Sequence, residues 1–229
     1  MSLLTDKVRS RGHWEVVIRP STFDLERVPW VKLMPIIDKA SVRLRGWPVP
    51  LVDGRNSEPT SGEDWIGQDV DAEVVAHFEA WRFFTSGQFS HLRAINADWR
   101  VGSEMVYVPP GASSVVEVWE ILFYVTEVFE LAARLALTEA GDDYMVVDAT
   151  VHTGQGRVLV VGQHNRHEFM SPYRVPPKIQ RTTTISRQDL VAAPHEAAVL
   201  MSHELFNRCG WEPSREELAE HQAELLNYR

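Results

Sequence analysis

One segment, Val115 to Ala140, constrains the fold of this chain more than any other. Polar side chains recur in it every three or four residues and form one narrow stripe along a predicted helix, namely Glu117, Glu120, Tyr124, Glu127, Glu130, Arg134 and Thr138. The rest of the circumference is apolar, which is typical of a helix that is buried on most sides. Ser114 and Glu117 have the spacing of a capping box and Gly141 is a natural stop, so the helix is expected to fill this segment.

Several other segments alternate between apolar and polar residues, as half-buried strands do. These segments are 13–19, 41–47, 65–72, 79–85, 88–96, 144–152, 157–161 and 179–185. The pair 144–152 and 157–161 is expected to form a hairpin, and Ser186, Pro194 and Ser214 mark helix starts near the C-terminus. The sequence therefore predicts a single α+β domain over residues 1–229: a mostly antiparallel sheet backed by a long buried helix, with a C-terminal helical pair.

Composition excludes several classes of protein. The chain has 229 residues and a single cysteine, Cys209, so an intramolecular disulfide framework is excluded. A net charge of −9 argues against general nucleic-acid binding. Apolar runs are too short for a membrane span, and the N-terminal segment lacks the apolar core of a signal peptide. We therefore expect a cytoplasmic protein that binds neither nucleic acid nor membrane.

The segment Trp81 to Ala94 reads as a hairpin with an unusual face. If Ser86 and Gly87 form a two-residue turn, Phe84 lies opposite Phe89 on the neighbouring strand. Because side chains alternate across a strand, one face then carries Arg82, Phe84, Phe89, His91 and Arg93. Trp81, Phe83, Leu92 and Ala94 would occupy the opposite, core-facing side.

The same alternation in the neighbouring strands extends this cationic and aromatic face. The predicted binding residues are Arg43, Arg45, Trp47, Trp65, Arg82, Phe84, Phe89, His91 and Arg93. Arginine and tryptophan are the residues that dominate recognition surfaces. The leading hypothesis is a non-enzymatic recognition or accessory module that binds a protein partner or a small anionic ligand there. A solvated face with cross-strand ion pairs is the plainer alternative.

Two further hypotheses stay open. A metal-dependent hydrolase or nuclease-like enzyme would use Asp69 or Asp71 as a base and His91 as an acid–base partner. A homodimer would share the apolar circumference of the long helix between subunits. The chain has no Walker phosphate-binding motif, no Gly-x-Ser-x-Gly and no His-Glu-x-x-His, so we expect no cofactor, no metal site and no requirement for an enzyme.

Four sequence stretches resemble a group of uncharacterised bacterial proteins of similar length. The stretches are Arg45-Gly46-Trp47-Pro48, Asp64-Trp65-Ile66-Gly67-Gln68, the segment from Trp81 to Phe89, and Leu137 to Asp142. The resemblance implies a bacterial, stand-alone protein and covers most of the chain. It implies no activity, ligand or functional residue.

Overall fold

The computed structural model describes residues 3–52, 58–101, 106–162 and 169–227. Its strands are β1 (His13–Pro20), β2 (Thr60–Ser61), β3 (Trp65–Ala72), β4 (His77–Phe84), β5 (Phe89–Ala94), β6 (Ser114–Glu117), β7 (Tyr144–His152), β8 (Arg157–Val160), β9 (Tyr173–Arg174) and β10 (Lys178–Ser186). Its helices are α1 (Leu3–Arg9), α2 (Leu33–Ala40), α3 (Val118–Ala136), α4 (Arg187–Ala192), α5 (Pro194–Arg208) and α6 (Arg215–Leu226). The α+β class is confirmed.

Seven strands form one sheet in the order β10-β7-β1-β5-β4-β3-β2, and every neighbouring pair is antiparallel. A second, small sheet has the order β6-β8-β9, with β6 and β8 parallel. The predicted hairpin of 144–152 with 157–161 is therefore wrong, because β7 and β8 belong to different sheets. The two glycines between them, Gly154 and Gly156, both adopt positive φ and turn the chain out of the large sheet.

The helix α3 packs against one side of the large sheet, which we call the inner face. It begins at Val118 rather than Val115, because Ser114–Glu117 pairs in parallel with β8. The capping-box prediction is wrong, since the Ser114 hydroxyl donates to Asp98 Oδ1 at 2.7 Å instead of capping the helix. The β-branched Val115 and Val116 suit a strand better than a first helical turn.

Helices from the same chain cover the remaining sides of α3. It contacts α2, α4, α5 and α6, and most of its residues are buried by these helices and the sheet. The predicted C-terminal helical pair is present as α5 and α6, and the Ser214 hydroxyl accepts from the Glu217 N–H as an N-cap. Since one chain buries the apolar circumference of α3, this helix does not supply the dimer surface that its composition allowed.

The opposite side of the sheet, the outer face, is partly covered by α1. Leu4 and Val8 of this helix pack on Phe78 and Leu92. The described helices include none that is long and apolar enough to cross a membrane.

Residues 41–52 form an irregular segment, which we call the cover loop, against the inner face. The strand predicted at 41–47 is wrong: only Val42 forms a bridge, with Val49. Gly46 turns the chain with a φ of +100°. The loop is held to β4 by Leu51, whose carbonyl accepts from Trp81 Nε1 at 3.0 Å.

Candidate functional site

The register of the β4–β5 hairpin decides where the predicted site residues lie. Phe83, not Phe84, pairs with Phe89. The loop is three residues long, 85–87, closed by a bond from the Phe84 N–H to the Gln88 carbonyl, and Gly87 takes a φ of +82°. The predicted two-residue turn is therefore wrong by one residue. A one-residue slip moves every side chain of one strand to the other face.

The nine predicted binding residues consequently do not share one exposed face. Phe89, His91 and Arg93 are buried on the inner face, whereas Trp65, Arg82 and Phe84 lie on the outer face. Arg43, Arg45 and Trp47 belong to the cover loop, where Arg43 is exposed and the other two are partly buried. The structure brings Arg45, Trp47, His91 and Arg93 to the same side of the sheet by a route that strand alternation did not predict.

The polar residues of the outer face form ion pairs and ring contacts with one another. Arg82 stacks on Trp65 with 4.8 Å between the guanidinium carbon and the ring centroid, and it pairs with Asp69 at 2.7 Å. Asp71 pairs with Lys7 at 2.9 Å. Because both aspartates lie on the outer face and His91 on the inner face, the predicted acid–base set of Asp69, Asp71 and His91 does not converge.

Glu79 is the centre of a buried polar cluster on the inner face. One oxygen, Oε2, lies 2.8 Å from His77 Nε2 and 3.3 Å from His91 Nε2, and the other accepts from the Leu51 N–H at 2.6 Å. Burial by itself would raise the pKa of Glu79, but the two imidazoles outweigh it and hold that pKa well below its usual value. Glu79 is therefore a buried carboxylate anion.

Tyr124 of α3 extends this cluster towards the helix. Its hydroxyl lies 2.9 Å from His91 Nδ1. Burial raises the pKa of Tyr124 far above its usual value, so the hydroxyl keeps its proton. The other ring nitrogen of His91, Nε2, faces Glu79. The result is a chain of polar groups from Tyr124 through His91 and Glu79 to His77.

Glu127, one turn further along α3, pairs with two arginines. Arg45 of the cover loop binds it in a forked arrangement, with distances of 2.9 Å from Nε to Oε1 and 2.5 Å from Nη2 to Oε2. Arg93 Nη1 lies 3.7 Å from Glu127 Oε2, which is an ion-pair distance without a hydrogen bond. Arg45 thus donates a hydrogen bond to each oxygen of Glu127, and Arg93 makes only the longer ion-pair contact.

Arg93 is the residue of the cluster whose side chain lacks hydrogen bonds. Its side chain is among the most deeply buried, with the residue 1% exposed, and Nε, Nη1 and Nη2 make no hydrogen bond to any described residue. Its guanidinium carbon lies 4.7 Å from the ring centroid of Tyr124. Buried polar atoms in proteins are nearly always hydrogen-bonded, so three such donors on one side chain are unusual.

Glu120 lies on the same stripe of α3. Its Oε1 accepts from the Asn96 N–H at 3.0 Å, and its Oε2 has no hydrogen-bond partner among the described residues. Burial raises the pKa of Glu120, against the opposing effects of Asn96 and Arg93. The carboxyl group is therefore easier to protonate than an exposed one, and in that form it is a hydrogen-bond donor.

No family model, curated protein or solved structure matches this chain. The resemblance to uncharacterised bacterial proteins accordingly stays a prediction, and the chemistry of the site is inferred from its own geometry.

Sequence reasoning missed five members of the cluster as site residues, namely His77, Glu79, Glu120, Tyr124 and Glu127. A signal was present for the last three, because they belong to the polar stripe of the long helix. Glu79 carried a weaker signal, as a charged residue at an inward position of a mostly apolar strand. What the sequence did not reveal is that the stripe faces the β4–β5 hairpin rather than solvent.

Proposed function

We propose that this protein binds a small molecule carrying a carboxylate or phosphate group, with Arg93 as the central anion-binding residue. The site is enclosed by β4, β5, α3 and the cover loop. The observation that carries the proposal is the buried guanidinium of Arg93, which makes no hydrogen bond to a described residue. An oxyanion is the partner that a guanidinium recognises best, through two parallel N–H···O bonds.

The surroundings of Arg93 favour an anion over other ligands. Glu127 is already bound by Arg45 through both oxygens, so it does not satisfy Arg93 as well. A protonated Glu120 would add a donor from the α3 side. A carboxylate or phosphate would accept from both groups and would remove the cost of leaving buried donors unpaired, which is about 1–3 kcal/mol per group.

The cover loop offers a route from solvent to the cluster. The Arg45 side chain is 22% exposed while its partner Glu127 is fully buried. Trp47 is partly exposed, and its ring lies 5.3 Å from that of His77. A ligand that reaches Arg93 is expected to enter beside these two cover-loop residues.

The same argument favours a small ligand over a protein partner. On the outer face, Arg82 already donates to Asp69 and to the Trp81 carbonyl, at 2.7 Å and 2.8 Å. The outer-face arginine is therefore hydrogen-bonded within the chain, whereas the buried donors of Arg93 make no hydrogen bond to a described residue.

The test compares anion binding by the full chain and by two matched arginine variants. Thermal unfolding and calorimetric titration would be measured with inorganic phosphate and with succinate, against chloride at equal ionic strength. Saturable binding should raise the melting temperature of the native protein, since a ligand at 100 times its Kd stabilises by about 2.7 kcal/mol. Arg93→Met should abolish that response, and Arg82→Met, on the outer face, should retain it.

Two results would contradict the proposal. One is a folded Arg93→Met variant that responds to phosphate or succinate as the native protein does. The other is a native protein that neither anion stabilises beyond the chloride control. If Arg93→Met does not fold, Arg93→Lys serves instead, since it keeps the charge but loses the fork and should weaken binding at least tenfold.

Acid–base catalysis on the bound molecule is a second candidate, and the chain from Tyr124 through His91 to Glu79 favours it. An imidazole held between a carboxylate and a hydroxyl is a common arrangement for proton transfer. If the site is an enzyme, His91→Gln should remove turnover of a substrate while the protein still binds the product. Turnover that survives in a folded His91→Gln variant would leave only the binding function.

A further inference from the structure

Three potential metal ligands meet on the outer face, on the other side of the sheet from the anion site. His13 and His152 lie directly opposite each other on β1 and β7, and Glu15 follows two residues after His13 on the same face. One ligand atom from each residue lies within 4.8 Å of the other two. Both strands lie inside the sheet, with a neighbouring strand on each side.

His13 is prepared to act as a ligand. Its Nδ1 lies 2.9 Å from the Arg11 carbonyl, to which it donates its proton, and Nε2 therefore carries the lone pair. Burial is the main reason that the pKa of His13 is lowered, so the imidazole is neutral at pH 7. A histidine that binds a metal commonly donates its other ring N–H to a backbone carbonyl in this way.

Glu15 has one oxygen anchored and one directed towards the histidines. Oε1 accepts from Arg9 at 2.8 Å, and Oε2 lies 3.1 Å from His152 Nε2. Two ligands bound to zinc at about 2.0–2.1 Å with a tetrahedral angle are about 3.3 Å apart. The separation of Oε2 and Nε2 is therefore close to what a shared metal requires.

We propose that His13, Glu15 and His152 bind a divalent transition-metal ion of the Zn²⁺ class. Two imidazole nitrogens and one carboxylate oxygen are a ligand set that such ions accept, with a fourth position left open. The two rings are stacked at 4.6 Å and must tilt about the soft χ2 torsion for both lone pairs to point at one ion. This site is independent of the proposed anion site.

The open coordination position would face a cleft of about 760 Å³. His13 and His152 line it together with Arg9, Arg11 and Gly154. Its arginines make the cleft suitable for water or a small anion as the fourth ligand. No short histidine motif joins His13 to His152, so the sequence did not predict this site; strand register brings the ligands together.

The test uses the full chain, freed of any histidine tag and of metal by dialysis against a chelator. Calorimetric titration with Zn²⁺ should give one site per chain, and Co²⁺ should give the intense visible absorption of a four-coordinate site. His152→Ala and Glu15→Gln should each weaken Zn²⁺ binding at least about 100-fold, more than the loss of an outer-shell contact costs. His203→Ala, on α5, should bind as the native protein does.

The proposal is overturned if Zn²⁺ binds the native protein no more tightly than it binds the double variant of His152 and Glu15. It is also overturned if His203→Ala loses the binding while His152→Ala keeps it. The side chains of His152 and Glu15 are both partly exposed, and circular dichroism would verify that their variants fold. Should either fail to fold, the Co²⁺ spectrum of the native protein decides: a weak, six-coordinate spectrum contradicts the three-ligand site.

Discussion

Arg93 lies directly opposite Glu79 across the β4–β5 pair, and both side chains are buried on the inner face. Glu79 is surrounded by hydrogen-bond donors, whereas Arg93 makes no hydrogen bond to a described residue. Two opposite charges at adjacent strand positions are thus stabilised to very different extents. This difference is the physical basis of the proposed anion site.

Replacing Glu79 by glutamine should destabilise the fold strongly. The change keeps the shape of the side chain but removes the charge that His77 and the Leu51 N–H contact. Removing one partner of a buried charged cluster costs about 3–5 kcal/mol, and we expect about 3 kcal/mol from urea unfolding. Glu26→Gln, at an exposed position, is the control and should leave the unfolding midpoint unchanged. Equal midpoints for the two variants would contradict the prediction.

His13 should make the stability depend on pH in the neutral range. Burial lowers its pKa in the folded protein, whereas the unfolded chain takes up a proton near pH 6.5. The unfolded state therefore binds more protons below that pH, and the free energy of unfolding falls as the pH drops from about 7 until the folded pKa is reached. His13→Gln should show a shallower slope between about pH 7 and 5.5. The measurement is urea unfolding in the presence of a chelator, and parallel curves would refute the assignment.

The turn of the β4–β5 hairpin should not tolerate a side chain at Gly87. Its φ is +82°, and a Cβ would lie 2.9 Å from the Ala140 carbonyl oxygen. Gly154 has a similar φ of +70° with open space around it. We expect Gly154→Ala to cost about 1 kcal/mol from backbone strain, and Gly87→Ala about 2 kcal/mol or more because the clash adds to the strain. Unfolding midpoints that rank in the reverse order would show that the loop relaxes freely.

Burial rather than distance should decide how much each ion pair contributes to the free energy of unfolding. Arg157 and Asp98 are almost fully buried and pair at 2.5 Å, and Asp98 also accepts from the Gly12 N–H. Asp98→Ala should therefore cost about 3–5 kcal/mol, since it leaves a buried guanidinium uncompensated. Lys32 and Glu139 pair at 2.6 Å but are half exposed, so Lys32→Ala should leave the melting temperature nearly unchanged. Similar losses from the two variants would contradict this ranking.

Much of the fold could be predicted because it depends on local periodicity. The alternation at 13–19, 65–72 and 179–185 marked strands that the structure contains, and the apolar circumference of the long helix marked its burial. The errors occurred where a local pattern was compatible with two outcomes. Val115 and Val116 fit the helical pattern, but they form a strand because β8 lies beside them. The segment 41–47 alternates like a strand and finds only one bridge partner.

The sequence by itself determined the chemical content of this protein: an arginine and aromatic hairpin, an acidic stripe on a buried helix, and a −9 net charge. Only the tertiary structure decided which of these groups meet. A two-residue and a three-residue turn are both compatible with Thr85-Ser86-Gly87, yet the choice between them places His91 and Arg93 in the interior instead of at the surface. Likewise, His13 and His152 are brought together by strand register, which long-range pairing sets and local sequence does not.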